Sequence, residues 1–499
     1  MEEKINRLKA ILAEISDLNH ATALLAWDMQ TYMPPGGAEG CGNQLALLER
    51  LAHERVTSPE MGILLDELKP YAATLEPDSD ESRLVKVTGR NYDKALRIPA
   101  RHIEESARLT ARAEQAWMEA RQKSDFSIFQ PYLERTVALR QEYASFFPGF
   151  DHPYDALLDD FEPGMKTADV KAIFEGLLPK QVELIKAIAA KPQVEDAFLH
   201  QPFDVNRQWG FGEQVISKFG FDWKRGRQDK SAHPFTVEIG LNDVRITTRV
   251  DANFLNSMLF GTMHECGHAF YILGLAPELD HTNLQGSASL ALDESQSRLW
   301  ENLVGRSRPF WKHFYARMQE TFPQISTVPL EKFYKGINKV TPSFIRVEAD
   351  EATYNLHIML RLEIEIAMLE GKVDVKDLPA LWNAKMQETL GITPPNDAQG
   401  VLQDIHWSQG SIGYFATYAL GNLISVQLWE KINQDIPDLE GQIEAGKFGA
   451  LLSWLREKIH RHGAKFEPQE LVQRVTGSRI DPGAYVRYLT EKFGEIYNL

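Results

Sequence analysis

His264, Glu265 and His268 stand together in the stretch GTMHECGHAF, Gly261 to Phe270, as H-E-x-x-H. On a helix the two histidines lie one turn apart on one face, so their imidazoles can bind a single metal ion. Glu265 turns to the neighbouring side, where it can act as a base on water instead of ligating the ion. The flanking residues are apolar: Leu255, Met258, Leu259, Phe260, Met263, Ala269 and Phe270. A helix of that composition is buried, and buried imidazoles need partners. Cys266, Gly267 and Ala269 are small and let a neighbouring chain come close. The helix is predicted over about 253–273, closed by Gly274 with Pro277 beyond.

The third ligand must come from elsewhere. No H-E-x-x-H-x-x-G-x-x-H continuation follows, which excludes a third histidine of the metzincin kind. LALDESQSRLWENL reads as a second helix, and its Glu294 falls 26 residues after His268, far enough to turn round and pack beside the first. Asp293 and Glu301 compete with it. Two histidines and one carboxylate leave a position open, the arrangement of a catalytic zinc and not of a structural one.

Two further segments carry polar residues that look placed. SFIRVEADEATYNLHIMLRLEIE reads as one long helix with Arg346, Asp350, His357 and Arg361 on a narrow face, either solvated or lining a cleft. GVLQDIHWSQGSIGYFATYALGN holds His406, Trp407, Tyr414 and Tyr418 among four glycines. A histidine or tyrosine from it, facing the metal, can donate a hydrogen bond to a developing oxyanion; the alternative is core aromatics. His460 and His462 are read as cations at a helix end, and His20, His53 and His102 as structural.

The elements that must position these groups are mostly helices. In RLTARAEQAWMEARQKSD, Ala113, Ala116, Trp117 and Ala120 recur at three and four residues. One region departs from that pattern: HPFTVEIGLNDVRITTRV, His233 to Val250, reads as a hairpin of a small sheet directly before the motif helix. There is no internal repeat and no low-complexity linker. We read residues 1–499 as one catalytic unit: a helical N-terminal part to about 220, hairpin and metal site at about 230–305, and a helical C-terminal part from 306. The chain is 43% hydrophobic, enough for a large core. Its formal net charge of -16 argues against nucleic acid and anionic membranes as partners. No apolar run is long enough to span a bilayer, and the start lacks a secretory signal. Two isolated cysteines, Cys41 and Cys266, form no disulfide framework, which suits a cytoplasmic protein.

With these pieces in place the sequence resembles the Taq-type carboxypeptidases, a family of H-E-x-x-H zinc metallopeptidases. The resemblance runs through nearly the whole chain. Its signatures occur in order: HPF at His233, DVRIT at Asp243, HECGH at His264, DESQ at Asp293, IRVEAD at Ile345 and GVLQDIHW at Gly400. It implies a mainly α, gluzincin or neurolysin-like, two-lobed fold with a deep groove and a small sheet beside the metal helix. It implies one zinc per subunit, which cobalt can replace, on His264, His268 and Glu294, with Glu265 as catalytic base. It implies a homodimer that releases C-terminal amino acids one at a time from peptides with broad specificity. His406, Tyr418 and Tyr414 are assigned to the oxyanion. Arg346 is the first choice for the substrate carboxylate, because a guanidinium forks around it. His233, Asp243 and Arg245, within the signatures, are assigned to substrate binding. One departure stands out: Asp293 occupies a position where the family commonly has histidine. The rival readings are a related oligopeptidase or dipeptidyl carboxypeptidase and a non-catalytic peptide-binding protein. An aminopeptidase is disfavoured, since no G-x-M-E-N occurs.

Overall fold

A computed structural model describes all 499 residues. Twenty α-helices, from Glu2–Thr31 to Pro482–Tyr497, surround one three-stranded sheet. Where apolar residues recur at helical spacing the helices form as expected: Ala113, Ala116, Trp117 and Ala120 are all buried on Ala100–Lys123. The motif helix spans Leu255–Leu273 and stops at Gly274.

The hairpin is present as β2, Thr236–Gly240, and β3, Asp243–Thr248, paired antiparallel. Alternation along β3 follows strand geometry: Val244 and Ile246 are buried, while Asp243 and Arg245 face the other way. A strand the sequence did not announce, β1 at Gly226–Lys230, pairs parallel with β3 and completes the order β1-β3-β2. Its residues, Gly-Arg-Gln-Asp-Lys, have no β-branched member. The backbone ladder to β3 holds it instead, with the Tyr32 hydroxyl donating to Asp229.

The segment read as one helix from Ser343 to Glu365 is broken. Arg346–Glu348 is a single 3-10 turn and the helix begins only at Tyr354. Asp350 accounts for the break, because its carboxylate accepts the N–H groups of Thr341, Ala352 and Thr353 and competes with helical bonding. The helix that follows, Tyr354–Leu369, is buried nearly all round, including His357, Arg361 and Glu365. Its polar stripe is therefore interior, not solvated. His460 needs a similar correction. It is fully buried with Nε2 2.8 Å from Gln296 Oε1, and burial pushes its pKa down to about 3, so it carries no charge to a helix end.

The core gathers 105 residues from Ala113 to Tyr497. A satellite cluster joins helices Glu2–Thr31, Pro59–Ala72 and Asp80–Arg97, with Leu279 and Leu284 reaching into it. Within the main core the Glu294 helix, Leu290–Arg298, lies between the motif helix and the helix Ala416–Asp435. Glycines make both contacts. A Cβ on Gly267 would meet Gln296 O and Ser297 Cα at 2.5 Å, and one on Gly421 would meet Glu294 Cγ at 2.7 Å. On the far side Trp300 packs against Phe219 and Phe270, with ring centres at 4.6 and 5.1 Å.

Gly267→Ala is expected to destabilise the protein by ~1–3 kcal/mol in urea unfolding, because a methyl has no room between the backbones. Gly42→Ala, on a helix where nothing lies within 4 Å of the added carbon, serves as the contrast and should be neutral or slightly stabilising.

Candidate metal centre

The two helices bring three donors together. The ligand atoms of His264, His268 and Glu294 lie within 4.8 Å of one another. Glu294 Oε2 is 3.6 Å from His264 Nε2 and 3.4 Å from His268 Nε2. Such separations suit ligands held about 2 Å from a shared centre, and two imidazole nitrogens with one carboxylate oxygen are a donor set that zinc accepts.

Asp293 and Glu301, the competing carboxylates, lie behind the donors. His264 Nδ1 is 2.9 Å from Glu301 Oε2, and His268 Nδ1 is 2.9 Å from Asp293 Oδ2. Each carboxylate orients a ring and leaves its Nε2 as the outward donor. The aspartate that departs from the family's histidine thus has a definite contact. Burial would lower the His268 pKa, but Asp293 outweighs it and holds the pKa well above the ordinary value.

A buried arginine ties these carboxylates together. Arg298 Nε donates to Glu294 Oε1 at 2.7 Å and its Nη1 to Glu301 Oε2 at 3.2 Å. Burial alone would raise both glutamates; Arg298 and the histidines overcome it, leaving Glu294 far below the usual range and Glu301 at about 2. Directly after Arg298 the helix widens into a π turn, Leu299–Val304, which carries Glu301 to His264.

Glu265 is buried beside this cluster. Thr236 Oγ1, from β2, is 2.7 Å from its Oε2, within hydrogen-bond reach. Burial raises the Glu265 pKa while the two histidines and Thr236 pull it down. A carboxylate raised toward the working pH is better matched to taking and returning a proton.

His406, Tyr414 and Tyr418 also come together. Tyr418 Oη is 3.4 Å from His406 Nε2, and the Tyr414 ring lies 5.2 Å from that of His406. Tyr418 is one turn before Gly421, the residue that touches Glu294. Burial, with Arg346 and Arg361 nearby, lowers His406 to about 4, so it is a neutral imidazole. Burial keeps both tyrosines protonated, Tyr414 at about 12. Arg346 is buried, with Nε 2.9 Å from Asp404 Oδ1 and Nη1 2.9 Å from Tyr354 Oη. Arg361 shares the same aspartate, its Nη2 at 2.6 Å from Oδ2.

Glu365 fastens the loop that presents these groups. Its carboxylate accepts from Trp407 Nε1 at 2.8 Å, Gly413 N at 3.1 Å and Tyr154 Oη at 2.7 Å. Burial still pushes its pKa up to about 7. Gly413 adopts a φ of 103°, and a side chain there would strike the Leu157 backbone at 2.8 Å.

Three residues assigned to substrate from the signatures make other contacts in the structure. Asp243 and Arg245 pair with each other at 2.7–2.9 Å, and Arg245 stacks over Trp27 at 4.3 Å. His233 is exposed in the loop before β2. Conversely, the sequence reading passed over Arg298, Asp404 and Glu365. Arg298 was findable, since it stands four residues after Glu294 and three before Glu301. Asp404 and Glu365 had no signal beyond a charge in an apolar context.

Two histidines and a glutamate on packed helices, with a buried carboxylate beside them, make the centre of a metallopeptidase. The family model described as carboxypeptidase Taq (M32) metallopeptidase matches residues 7–493. Thermostable carboxypeptidase 1 of Thermus thermophilus is 41% identical over 95% of each chain. Carboxypeptidase 1 of Bacillus subtilis is 38% identical over 98% of each. The crystal structure of the M32 carboxypeptidase from Deinococcus radiodurans R1 superposes with a TM-score of 0.97 at 40% identity, covering 100% of both chains. The chain belongs to the carboxypeptidase Taq (M32) family of metallopeptidases. It is accordingly a metallocarboxypeptidase, with a divalent metal and peptide substrates.

Asp293→Asn is expected to weaken metal binding roughly 10–100-fold, measured by competition with a chelator; an unaltered affinity removes Asp293 from the site's support. Glu365→Gln tests the loop through pH. The folded pKa of about 7 lies above the ordinary 4.5, so the group favours folding most at low pH and loses that contribution as pH rises through 7. The stability of wild type relative to the variant should fall by roughly 1–3 kcal/mol between pH 5 and 8.

Proposed function

We propose that this metallocarboxypeptidase holds one zinc per subunit on His264, His268 and Glu294, with cobalt able to replace it, and releases single residues from free C-termini with broad specificity. The observation that carries this reading is the buried Glu265 carboxylate, hydrogen-bonded to Thr236, beside three converging donors. When bound, the ion supplies Lewis acidity toward a carbonyl oxygen and makes water a better nucleophile near neutral pH.

The chain's own residues do the rest. Glu265 takes the proton of the attacking water and returns it to the leaving amine. His406 and Tyr418, with Tyr414 behind them, offer N–H and O–H donors to the oxygen on which negative charge develops; loss of one such donor typically costs ~2.7–4 kcal/mol in the transition state. Arg346 recognises the C-terminal carboxylate. Two arginines share one aspartate in the interior, so the group retains a positive charge that an anion would balance. Asp404 holds Nε and Nη2 of Arg346 and Tyr354 accepts from Nη1, so a substrate carboxylate shares the guanidinium with these partners, beside the Tyr418 ring.

We take the 499 residues as one catalytic unit, supported by the core from Ala113 to Tyr497 and by Leu279 and Leu284, which reach into the satellite cluster of the N-terminal helices. A cytoplasmic setting is supported by two buried, unpaired cysteines, and a homodimer by the family resemblance. No helix is long and apolar enough to cross a membrane.

A ten-residue peptide followed by mass spectrometry is expected to shorten from its C-terminus one residue at a time, and a chelator should stop it. Glu265→Gln should retain the metal and lose turnover. Internal or dipeptide cuts would move the enzyme to the oligopeptidase reading, and a fully active Glu265→Gln would remove that residue from the mechanism.

A further inference from the structure

A cavity of about 610 Å³ opens between helices Pro59–Ala72 and Asp80–Arg97 on one side and Phe147, Phe150 and Asp159 on the other. Its volume is that of a ligand site. Its charge contrasts with the molecule around it. Lys69, Lys86, Arg90, Lys94 and Arg97 line it against two carboxylates, Asp93 and Asp159, in a chain of formal net charge -16. Lys94 is neutralised by Asp159 and Asp160 at 2.9 and 2.6 Å. Arg90 and Arg97 have no such partner. The apolar part of the wall comes from Val85, Ala72, Phe147 and Phe150.

One chain segment joins the rim of the cavity to the helix of the metal centre. Asp159 begins a short segment whose next residues reach the catalytic helices. The Phe161 ring lies 5.2 Å from that of Tyr414, and Phe161 O accepts Leu290 N at 3.1 Å. Buried Glu162 accepts Ala291 N at 2.5 Å, at the start of the helix that carries Glu294. By chain geometry the Asp159 wall is within roughly 20 Å of Glu294. An extended peptide covers that span in no more than about six residues.

We propose that this cavity is a subsite for acidic side chains of the peptide substrate, up to about six residues upstream of the bond that is cut. The inference rests on the carboxypeptidase reading and adds a preference to it. Arg90 and Arg97 supply the free charges, and the aromatic and aliphatic wall takes the side-chain stems. The sign of the effect is diagnostic. The overall negative charge of the chain would repel an acidic peptide and favour a basic one, so a preference for acidic peptides requires a local cationic site.

The test compares ten-residue peptides that share their last three residues and carry glutamate, glutamine or lysine at the fifth to seventh positions from the C-terminus. A tripeptide with the same ending is assayed alongside. Wild-type kcat/KM should be about three- to tenfold higher for the glutamate peptide than for the lysine peptide, the scale of two partly exposed ion pairs. Added salt should shrink the ratio. In R90Q/R97Q the ratio of glutamate-peptide to tripeptide rates should fall by the same factor, with R97Q intermediate. Equal rates for glutamate and lysine peptides, or an undiminished ratio in R90Q/R97Q, overturns the subsite. If inorganic phosphate protects against thermal unfolding through Arg90 and Arg97 while peptide charge has no effect, the cavity binds small anions and the peptide subsite fails. Failure of the carboxypeptidase reading looks different: the tripeptide itself would not be cut.

Discussion

Two glycine contacts set the geometry on which everything else depends. Gly267 lets the motif helix lie against the backbone of the Glu294 helix, and Gly421 brings the helix of Tyr418 onto Glu294 itself. With a side chain at either point the helices would separate by about a carbon's width, and the ligand atoms would no longer converge. The aromatic layer around Trp300 then locks the sandwich from behind, each ring pair adding ~0.5–1.5 kcal/mol beyond the area it buries.

Convergence of donors creates an electrostatic problem that the same helices solve. Glu294, Glu301 and Asp293 stand close together, and the first two have side-chain exposures of only 7% and 13%. Desolvating such groups is costly unless they are paired. Arg298 pairs with two of them, Arg306 approaches Glu301, and the Nδ1 atoms of the two histidines face Glu301 and Asp293. The result is a set of donors held in place by their neighbours, which is what a metal ion needs at the moment of binding.

The loop from Gly400 to Tyr414 is organised on a similar plan. It has little regular secondary structure, so its backbone groups need other partners. Glu365 supplies one for Gly413 and another for the Trp407 indole, while Asp404 joins the loop to Arg346 and Arg361. Charges buried in the helix Tyr354–Leu369 therefore reach outward to fix a loop, and that loop brings His406 and Tyr414 against Tyr418, whose helix packs on Glu294. A small sheet plays the equivalent part on the other side by placing Thr236 on Glu265.

Much of this was legible in the residues alone, where local rules suffice. The spacing of His264 and His268 on an apolar helix, the stop at Gly274, the hairpin before it and the burial of Ala113, Ala116, Trp117 and Ala120 all follow from periodicity and turn chemistry that act within a few residues. Six ordered signatures carried the family. What the sequence could not settle were the contacts between elements far apart in the chain. β1 forms only because β3 offers it a ladder, and the Ser343–Glu365 pattern breaks because Asp350 bonds backbone N–H groups, one of them nine residues upstream. The roles of Asp293 and Glu301 as supports to the histidines, and the sharing of Asp404 by two arginines, depend on side-chain directions that only packing selects. The residues alone determined which groups this protein has for chemistry on one helix; the tertiary structure decided which charges face one another, because pairing in the interior is set by distance in space and not by distance along the chain.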